Sequence, residues 1–175
     1  WGGIENLVEI PAAVGGAVSQ NIGAYGQEIG DVVVKVEGIS LDSCQKKTFN
    51  SDSCQFKYRS SVFKRELQNK FLITYVYFKL IPEAAGYKKN YDYTSIKKSL
   101  EKEAEQPYSL KQVMDTVAEQ RKNNLPDITR WGTCGCFFTN PVVTKNQFEN
   151  LKKKIPDLAS YPTEKGKNWL KVPAG

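Results

Sequence analysis

The sequence contains no histidine and only one methionine. Without imidazole it lacks the side chain that most often acts as a general base near neutral pH and most often ligates metal ions. Chemistry in this chain therefore falls to Cys, Tyr, Lys, Arg, a carboxylate or a cofactor. Long apolar runs are also missing: no stretch reaches the roughly 18 consecutive apolar residues that span a bilayer. The opening Trp1-Gly2-Gly3 has no Met, no charged start and no apolar run. It implies a cut N-terminus without a signal peptide and, by default, a cytoplasmic location. Cysteine is scarce. Cys134 and Cys136 have the spacing of half a zinc site, but Cys44 and Cys54 lie too far apart in sequence to complete it and no histidine can help. Neither structural zinc nor, in a cytoplasmic chain, a disulfide is expected.

What is present suits a globular protein. Of 175 residues, 40% are hydrophobic and 25% charged, enough for one large domain or two small ones with a real core. The net charge of +6 favours an acidic partner, and either nucleic acid or a diphosphate-bearing small molecule fits it. The basic residues are spread along the chain, and the tight run Lys152-Lys153-Lys154 reads as the wet side of a helix.

Periodicity divides the chain. Residues 32–39 alternate, with Val32, Val34 and Val36 on one face, as in a half-buried strand. Residues 71–81 are apolar, β-branched and aromatic, which predicts a buried strand ended by Pro82, with Tyr75, Tyr77 and Phe78 in the core. Residues 42–53 read as polar turn. Apolar stripes predict helices over 94–105, 109–123 and 145–155. Ser109 with Gln112, and Thr144 with Gln147, have the spacing of a capping box. The fold class is α+β, with a boundary in the window 105–125, drawn at 106/107.

Residues 10–26 read IPAAVGGAVSQNIGAYG. Glycines at 15, 16, 23 and 26 are too many, on this reading, for a packed helix or strand. Small residues let a backbone approach a ligand, and exposed N–H groups bind phosphate or carbonyl oxygens. A plain glycine-rich turn fits the pattern equally. The segment is neither a Walker loop nor G-x-G-x-x-G, so those phosphate mechanisms do not transfer.

Four motifs in order give the chain a resemblance. Asn6-Leu7, Ile10-Pro11 and Gln20-Asn21-Ile22-Gly23-Ala24-Tyr25-Gly26 resemble the signature of the UDP-N-acetylenolpyruvoylglucosamine reductase (MurB) family. Cys54-Gln-Phe-Lys-Tyr58-Arg59-Ser-Ser61-Val-Phe63-Lys64 resembles its CxFxYRDSxFK segment, and Asp92-Tyr93-Thr-Ser-Ile96 its tyrosine loop. Gly135-Cys136-Phe137-Phe138-Thr139-Asn140-Pro141 resembles its GSFFxNP motif. Leu125-Pro126-Asp127 and Lys171-Val-Pro-Ala-Gly175 also fit, so the resemblance covers the whole chain.

That resemblance implies the middle of a PCMH/MurB-like FAD-binding α+β domain over 1–106, followed over 107–175 by the start of the family's substrate domain. It implies an FAD-dependent, NADPH-using UDP-N-acetylmuramate dehydrogenase of peptidoglycan synthesis, a cytoplasmic monomer without nucleic acid or membrane. Arg59 matches the arginine at the substrate carboxylate, where a permanently charged planar fork stabilises charge that grows in the transition state. Cys136 stands where most members carry the serine that protonates the carbanion. A thiol, with a pKa near 8.5, gives up a proton more readily than an alcohol. Pro11, Ala12, Gly15, Gly16, Asn21, Gly23, Tyr25 and Gly26 match the flavin loop. Tyr25, Tyr93, Asn124 and Asn140 match substrate positions; the match at Tyr93 could slip to Tyr91, and Lys122 could stand in for the phosphate lysine that Asn124 replaces. Gly16 replaces a family serine and Ala12 a glycine, implying weaker flavin contact. The family's FAD-pyrophosphate segment and its C-terminal lysine and glutamate have no match here, so the 175 residues alone are expected to bind FAD poorly and to turn over negligibly. Two rival readings stay open: another FAD-linked oxidoreductase of the superfamily, and a non-catalytic nucleotide- or RNA-binding module.

Overall fold

A computed structural model describes residues 1–132, 137–163 and 166–174. The chain forms two compact units, Trp1–Leu125 and Pro126–Gly175.

The first unit opens with a single 3-10 turn at Glu5–Leu7 and a short helix α1 (Val14–Gln20). A hairpin follows, β1 (Gly23–Ala24) and β2 (Gln27–Glu28). The main sheet has order β4-β3-β5, all antiparallel, from β3 (Val33–Ser40), β4 (Lys46–Asn50) and β5 (Phe71–Phe78). A one-turn helix α2 (Ser51–Cys54) and the segment up to Leu67 close one side of this sheet. There Val18, Val36 and Cys54 are fully buried with Val62 and Phe63. The Phe49 ring meets Phe63 and Phe71 edge-on at 5.3 and 5.2 Å, a favoured aromatic geometry. A second core lies in the hairpin of α3 (Thr94–Glu103) and α4 (Leu110–Asn124), where Ile96, Leu100, Val113 and Val117 are sealed from solvent.

The helix stripes and caps appear where periodicity puts them. Ser109 Oγ accepts from Gln112 N, and the Gln112 side chain accepts from Ser109 N in return. Thr144 and Gln147 do the same. These pairs satisfy amides that the helix geometry leaves orphaned.

Four expectations need correction. Val34 is 48% exposed whereas Val33 and Val36 are buried. The β3–β5 register slips between Val33 and Lys35, and such an irregularity breaks strict alternation. Next, β5 is buried on one face only: Tyr75 is 65% and Tyr77 42% exposed, and only Phe78 of the three rings packs on the core. It is an edge strand, paired only with β3 among the described residues. Of the three rings expected in the core, Tyr75 and Tyr77 are therefore surface groups. Lys35 Nζ sits 3.9 Å above the Tyr77 ring but is also paired with Glu37 at 2.6 Å. Third, residues 42–53 are not all turn. Lys46–Asn50 pairs with β3 from Lys35 to Ile39, and its polar outer edge, with Phe49 alone packed inward, hid the strand. Fourth, Gly15 and Gly16 lie inside a helix. Each glycine there costs about 1 kcal/mol of helix propensity relative to alanine, which the burial of Ala17 and Val18 overrides. Asn21 ends that helix in the left-handed region, φ 47° and ψ 62°, as a C-terminal Gly or Asn does.

The two compact units meet at Leu125 and Pro126, and α4 packs on α3 and on the Glu5–Leu7 turn within the first. The second unit is a sheet of order β6-β8-β7 from β6 (Val142–Thr144), β7 (Tyr161–Pro162) and β8 (Trp169–Lys171), with α5 (Lys145–Lys152) against it. Among the described residues no helix is long and apolar enough to cross a membrane.

Candidate functional site

The β1–β2 hairpin turns through Tyr25 and Gly26, with φ of 47° and 81°. Two consecutive positive φ values are what a two-residue type I′ turn needs. Glycine takes the second freely. Tyrosine at the first is held by its surroundings: its carbonyl accepts from Asn6 Nδ2 at 3.0 Å, and its ring meets Tyr93 edge-on with centroids 5.3 Å apart.

Arg59 reaches the same hairpin from a second tight turn. Lys57 and Ser60 exchange backbone hydrogen bonds of 2.9 Å each way, which puts Tyr58 and Arg59 at the tip. Arg59 itself is left-handed at φ 52°. Its guanidinium donates to the Gly23 carbonyl through Nη2 and to the Asn21 carbonyl through Nη1 at 3.5 Å. Nη1 also pairs with Glu28 Oε1 at 3.3 Å. The Tyr58 ring lies 4.9 Å from Cζ, a cation–π distance. The Nε–H and one Nη2–H have no partner among the described residues. They are the fork a carboxylate would take. A Cβ on Gly23 would come within 2.7 Å of Nη1 and 2.9 Å of the Gln27 carbonyl, so this approach requires glycine at 23.

Asn21 secures the floor. It is 1% exposed, its Nδ2 donates to Glu28 Oε2 at 2.7 Å and to the Lys57 carbonyl at 3.0 Å, and its Oδ1 accepts from Gly30 N at 3.0 Å. Its side chain is thus bonded to three groups of the protein itself. Ser61, fully buried, donates to the Ser19 carbonyl at 2.7 Å and fastens the Arg59 segment to α1.

A further polar cluster stands behind the hairpin. Asn6, fully buried, donates through Nδ2 to the carbonyls of Tyr25 and, at 2.8 Å, of Asn90. Asn90 Nδ2 donates to the Gly26 carbonyl at 2.8 Å. Glu5 accepts from Gly3 N at 2.7 Å and from the Tyr87 hydroxyl at 2.8 Å. Burial alone would raise the Glu5 carboxyl, but these donors hold it below its ordinary value of 4.5. Burial, then the neighbouring Glu5, pushes the Tyr87 hydroxyl up.

Beside the loop an apolar cleft of about 450 Å³ is lined by Ile4, Leu7, Ile10, Ala12, Val14 and Met114, with Ala17 and Ile22 at its back. That volume is in the range of small-molecule sites. Of the residues expected to hold a flavin, Ala12 lines this cleft. Pro11 and Gly16 are exposed, and Gly15 is half-buried against Ile73. A Cβ at 16 would meet nothing within 4 Å.

The structure therefore brings together Arg59, Asn21, Gly23, Tyr25, Gly26 and Tyr93. It also separates Tyr93 from Tyr91. Tyr91 packs edge-on against Tyr108 at 5.3 Å in the second core, whereas Tyr93 is 38% exposed. Asn124 is exposed at the end of α4, two residues after the equally exposed Lys122. In the second unit the Asn140 side chain accepts from Ala174 N at 3.0 Å. Cys136, and its neighbours Thr133 to Gly135, lie outside the described residues. Cys54 is fully buried and its thiol is pushed up to about 11 by that burial; Cys44 is exposed. Among the described residues no three His, Cys, Asp or Glu gather to hold a metal ion.

Sequence reasoning gave no role to Glu28, Asn90 or Gln27, and quoted Asn6 without one. Glu28 could have been found: it follows the glycine loop directly and faces Gly23 across the hairpin. Asn90 gave no local signal.

No protein-family model matches the chain. A UDP-N-acetylenolpyruvoylglucosamine reductase from Flavobacterium johnsoniae is 40% identical over 175 residues, which is 100% of this chain and 51% of the relative. One from Bacteroides fragilis is 36% identical over 177 residues, 100% of this chain and 50% of the relative. The crystal structure of the UDP-N-acetylenolpyruvylglucosamine reductase (MurB) from Thermus caldophilus has the same fold over 98% of this chain and 53% of its own, with a TM-score of 0.55 at 22% identity. The chain spans about half the length of the curated relatives it matches. End to end, the chain is similar to about half of several UDP-N-acetylenolpyruvoylglucosamine reductases and shares the fold of a solved one.

Proposed function

We propose that this chain carries part of the active site of an FAD-dependent, NADPH-using enzyme. Its substrate would be UDP-N-acetylglucosamine enolpyruvate, its product UDP-N-acetylmuramate for peptidoglycan, and it would act as a cytoplasmic monomer. The observation that supports this reading most is the Arg59 guanidinium, held on the Gly23 and Asn21 carbonyls with N–H groups to spare. Together with the family similarity it favours a carboxylate-bearing substrate.

When bound, the flavin supplies hydride exchange between NADPH and the enol ether. The apolar cleft fits a flat, largely apolar ring, and the loop from Pro11 through Ala12, Gly15 and Gly16 to Gly23, Tyr25 and Gly26 would hold the cofactor. Asn21 would serve from behind, because its side chain is consumed internally. The first unit would then carry flavin-binding residues and the second the start of a substrate domain. Arg59 would hold the substrate carboxylate and stabilise the negative charge that develops beside it. Cys136 would donate the proton to the carbon next to the carboxylate, its thiol neutral but acidic enough to transfer it. Tyr25, Tyr93, Asn124 and Asn140 would position the UDP-sugar.

The test uses the full-length gene product. Arg59→Ala should slow flavin reoxidation by the UDP-sugar by about 10²–10³-fold and leave flavin reduction by NADPH intact, as read by stopped-flow absorbance. Cys136→Ala should show the same split. Equal loss in both half-reactions would make these residues structural and sink the assignment.

A further inference from the structure

We infer that Asn6 and Asn90 form a clasp that positions the Tyr25–Tyr93 ring pair against the UDP-sugar, an inference that rests on the function proposed above. The Asn6 amide is fully buried and its Nδ2 bonds two carbonyls, Tyr25 at 3.0 Å and Asn90 at 2.8 Å. Both partners are acceptors, so chemistry fixes which way this amide points. Asn90 answers with its own Nδ2 on the Gly26 carbonyl at 2.8 Å. The backbone N–H of Asn6 is itself held by the Gln27 side chain at 2.9 Å. Tyr25, Gly26 and Gln27, the whole tip of the hairpin, are therefore tied to residues 6 and 90, which lie far away in sequence.

Residue 90 is three positions before Tyr93, and Tyr93 is the N-cap of α3. The chain between the clasp and the helix is too short to wander. Tyr91 turns into the second core on Tyr108, whereas Tyr93 is 38% exposed. Its ring meets Tyr25 edge-on, at 88°. The exposed aromatic surface is thus preset by groups that touch no ligand, which lowers the ordering cost of binding. Asn6 and Asn90 are positioning residues on this argument.

The experiment measures steady-state KM and kcat for the UDP-sugar in the full-length gene product. Asn90→Ala removes the donor to Gly26 and leaves the backbone carbonyl that Asn6 uses, so the fold is retained, as a thermal melt checks. KM should rise about fivefold to tenfold, the loss expected of one such hydrogen bond, with kcat and flavin reduction by NADPH near wild type. Asn90→Asp, the same size without the donor, should match Asn90→Ala. In the Tyr93→Ala background Asn90→Ala should add nothing further, because the clasp acts through that ring. An unchanged KM for folded Asn90→Ala, or an effect fully additive with Tyr93→Ala, overturns the clasp alone. A wild-type protein that neither binds nor reduces the UDP-sugar overturns the functional reading and the clasp with it.

Discussion

The two units differ in what holds them. Trp1–Leu125 seals Val18, Val36, Ile96, Leu100, Val113 and Val117 from solvent; in Pro126–Gly175 the described buried apolar residues are Phe148 and Val172. The difference extends to polar groups. The first unit keeps Glu5, Asn6, Asn21, Gln27 and Ser61 buried, each with at least one hydrogen bond, although Asn6 Oδ1 has no partner among the described residues. A low-dielectric interior strengthens such networks when their donors and acceptors are paired. Among the described residues the second unit has most of its side-chain hydrogen bonds at the surface, as in the Thr144–Gln147 capping box and between Asn140 and Ala174, with Thr163 Oγ1 to the Trp169 carbonyl part-buried. A preset ligand surface needs a core behind it, and the first unit has one.

That contrast can be broken most severely at Leu100. Leu100→Ala should cost about 2–5 kcal/mol, read from the urea midpoint, and should expose the first unit without moving the protection of amides in β8. A loss below about 0.5 kcal/mol would mean the α3–α4 core collapses around the gap.

The polar network gives the next effect. Because the folded Glu5 carboxyl lies below 4.5, its stabilisation is present above that pH and is lost as pH falls through the folded value. Glu5→Gln should cost about 1–3 kcal/mol at neutral pH, and its difference from wild type should shrink below about pH 4.5. A difference that stays constant into acid would show that the charge is irrelevant. Tyr87→Phe removes a donor from the same carboxylate, so it should raise the folded value, and this limb should be shallower and complete at a higher pH.

The smallest effect sharpens the comparison most cleanly, because both units carry the same cap. Ser109→Ala and Thr144→Ala should each cost about 1 kcal/mol. In the first unit the loss should appear in the global unfolding midpoint. In the second it should appear as faster hydrogen exchange in α5 with the global midpoint unmoved. Identical global shifts would mean that the two units unfold together.

The helices were legible in the sequence because their signals are local. Ile96 and Leu100 repeat within one face, and Ser109 finds Gln112 three residues on. Arg59 and Tyr93 were legible by resemblance, and the structure places both on the hairpin of Gly23 and Tyr25. What misled was reading composition without context. Gly15 and Gly16 argued against a helix that Ala17 and Val18 pull into the core, and the apolar run of β5 hid the fact that Tyr75 and Tyr77 are surface groups. Lys46–Asn50 looked like turn because an edge strand needs little apolar patterning when its neighbour supplies the hydrogen bonds.

The loop from Ile10 to Gly26 shows the division of labour. Its glycines, its Asn21 and its Tyr25 are written in the sequence, and so is the resemblance they carry. That Asn21 faces Glu28, that Arg59 docks on Gly23, and that Asn6 and Asn90 grip the hairpin tip came only with the tertiary structure. Those pairs join residues that no local period connects, and a hydrogen bond between distant residues is decided by how the cores pack.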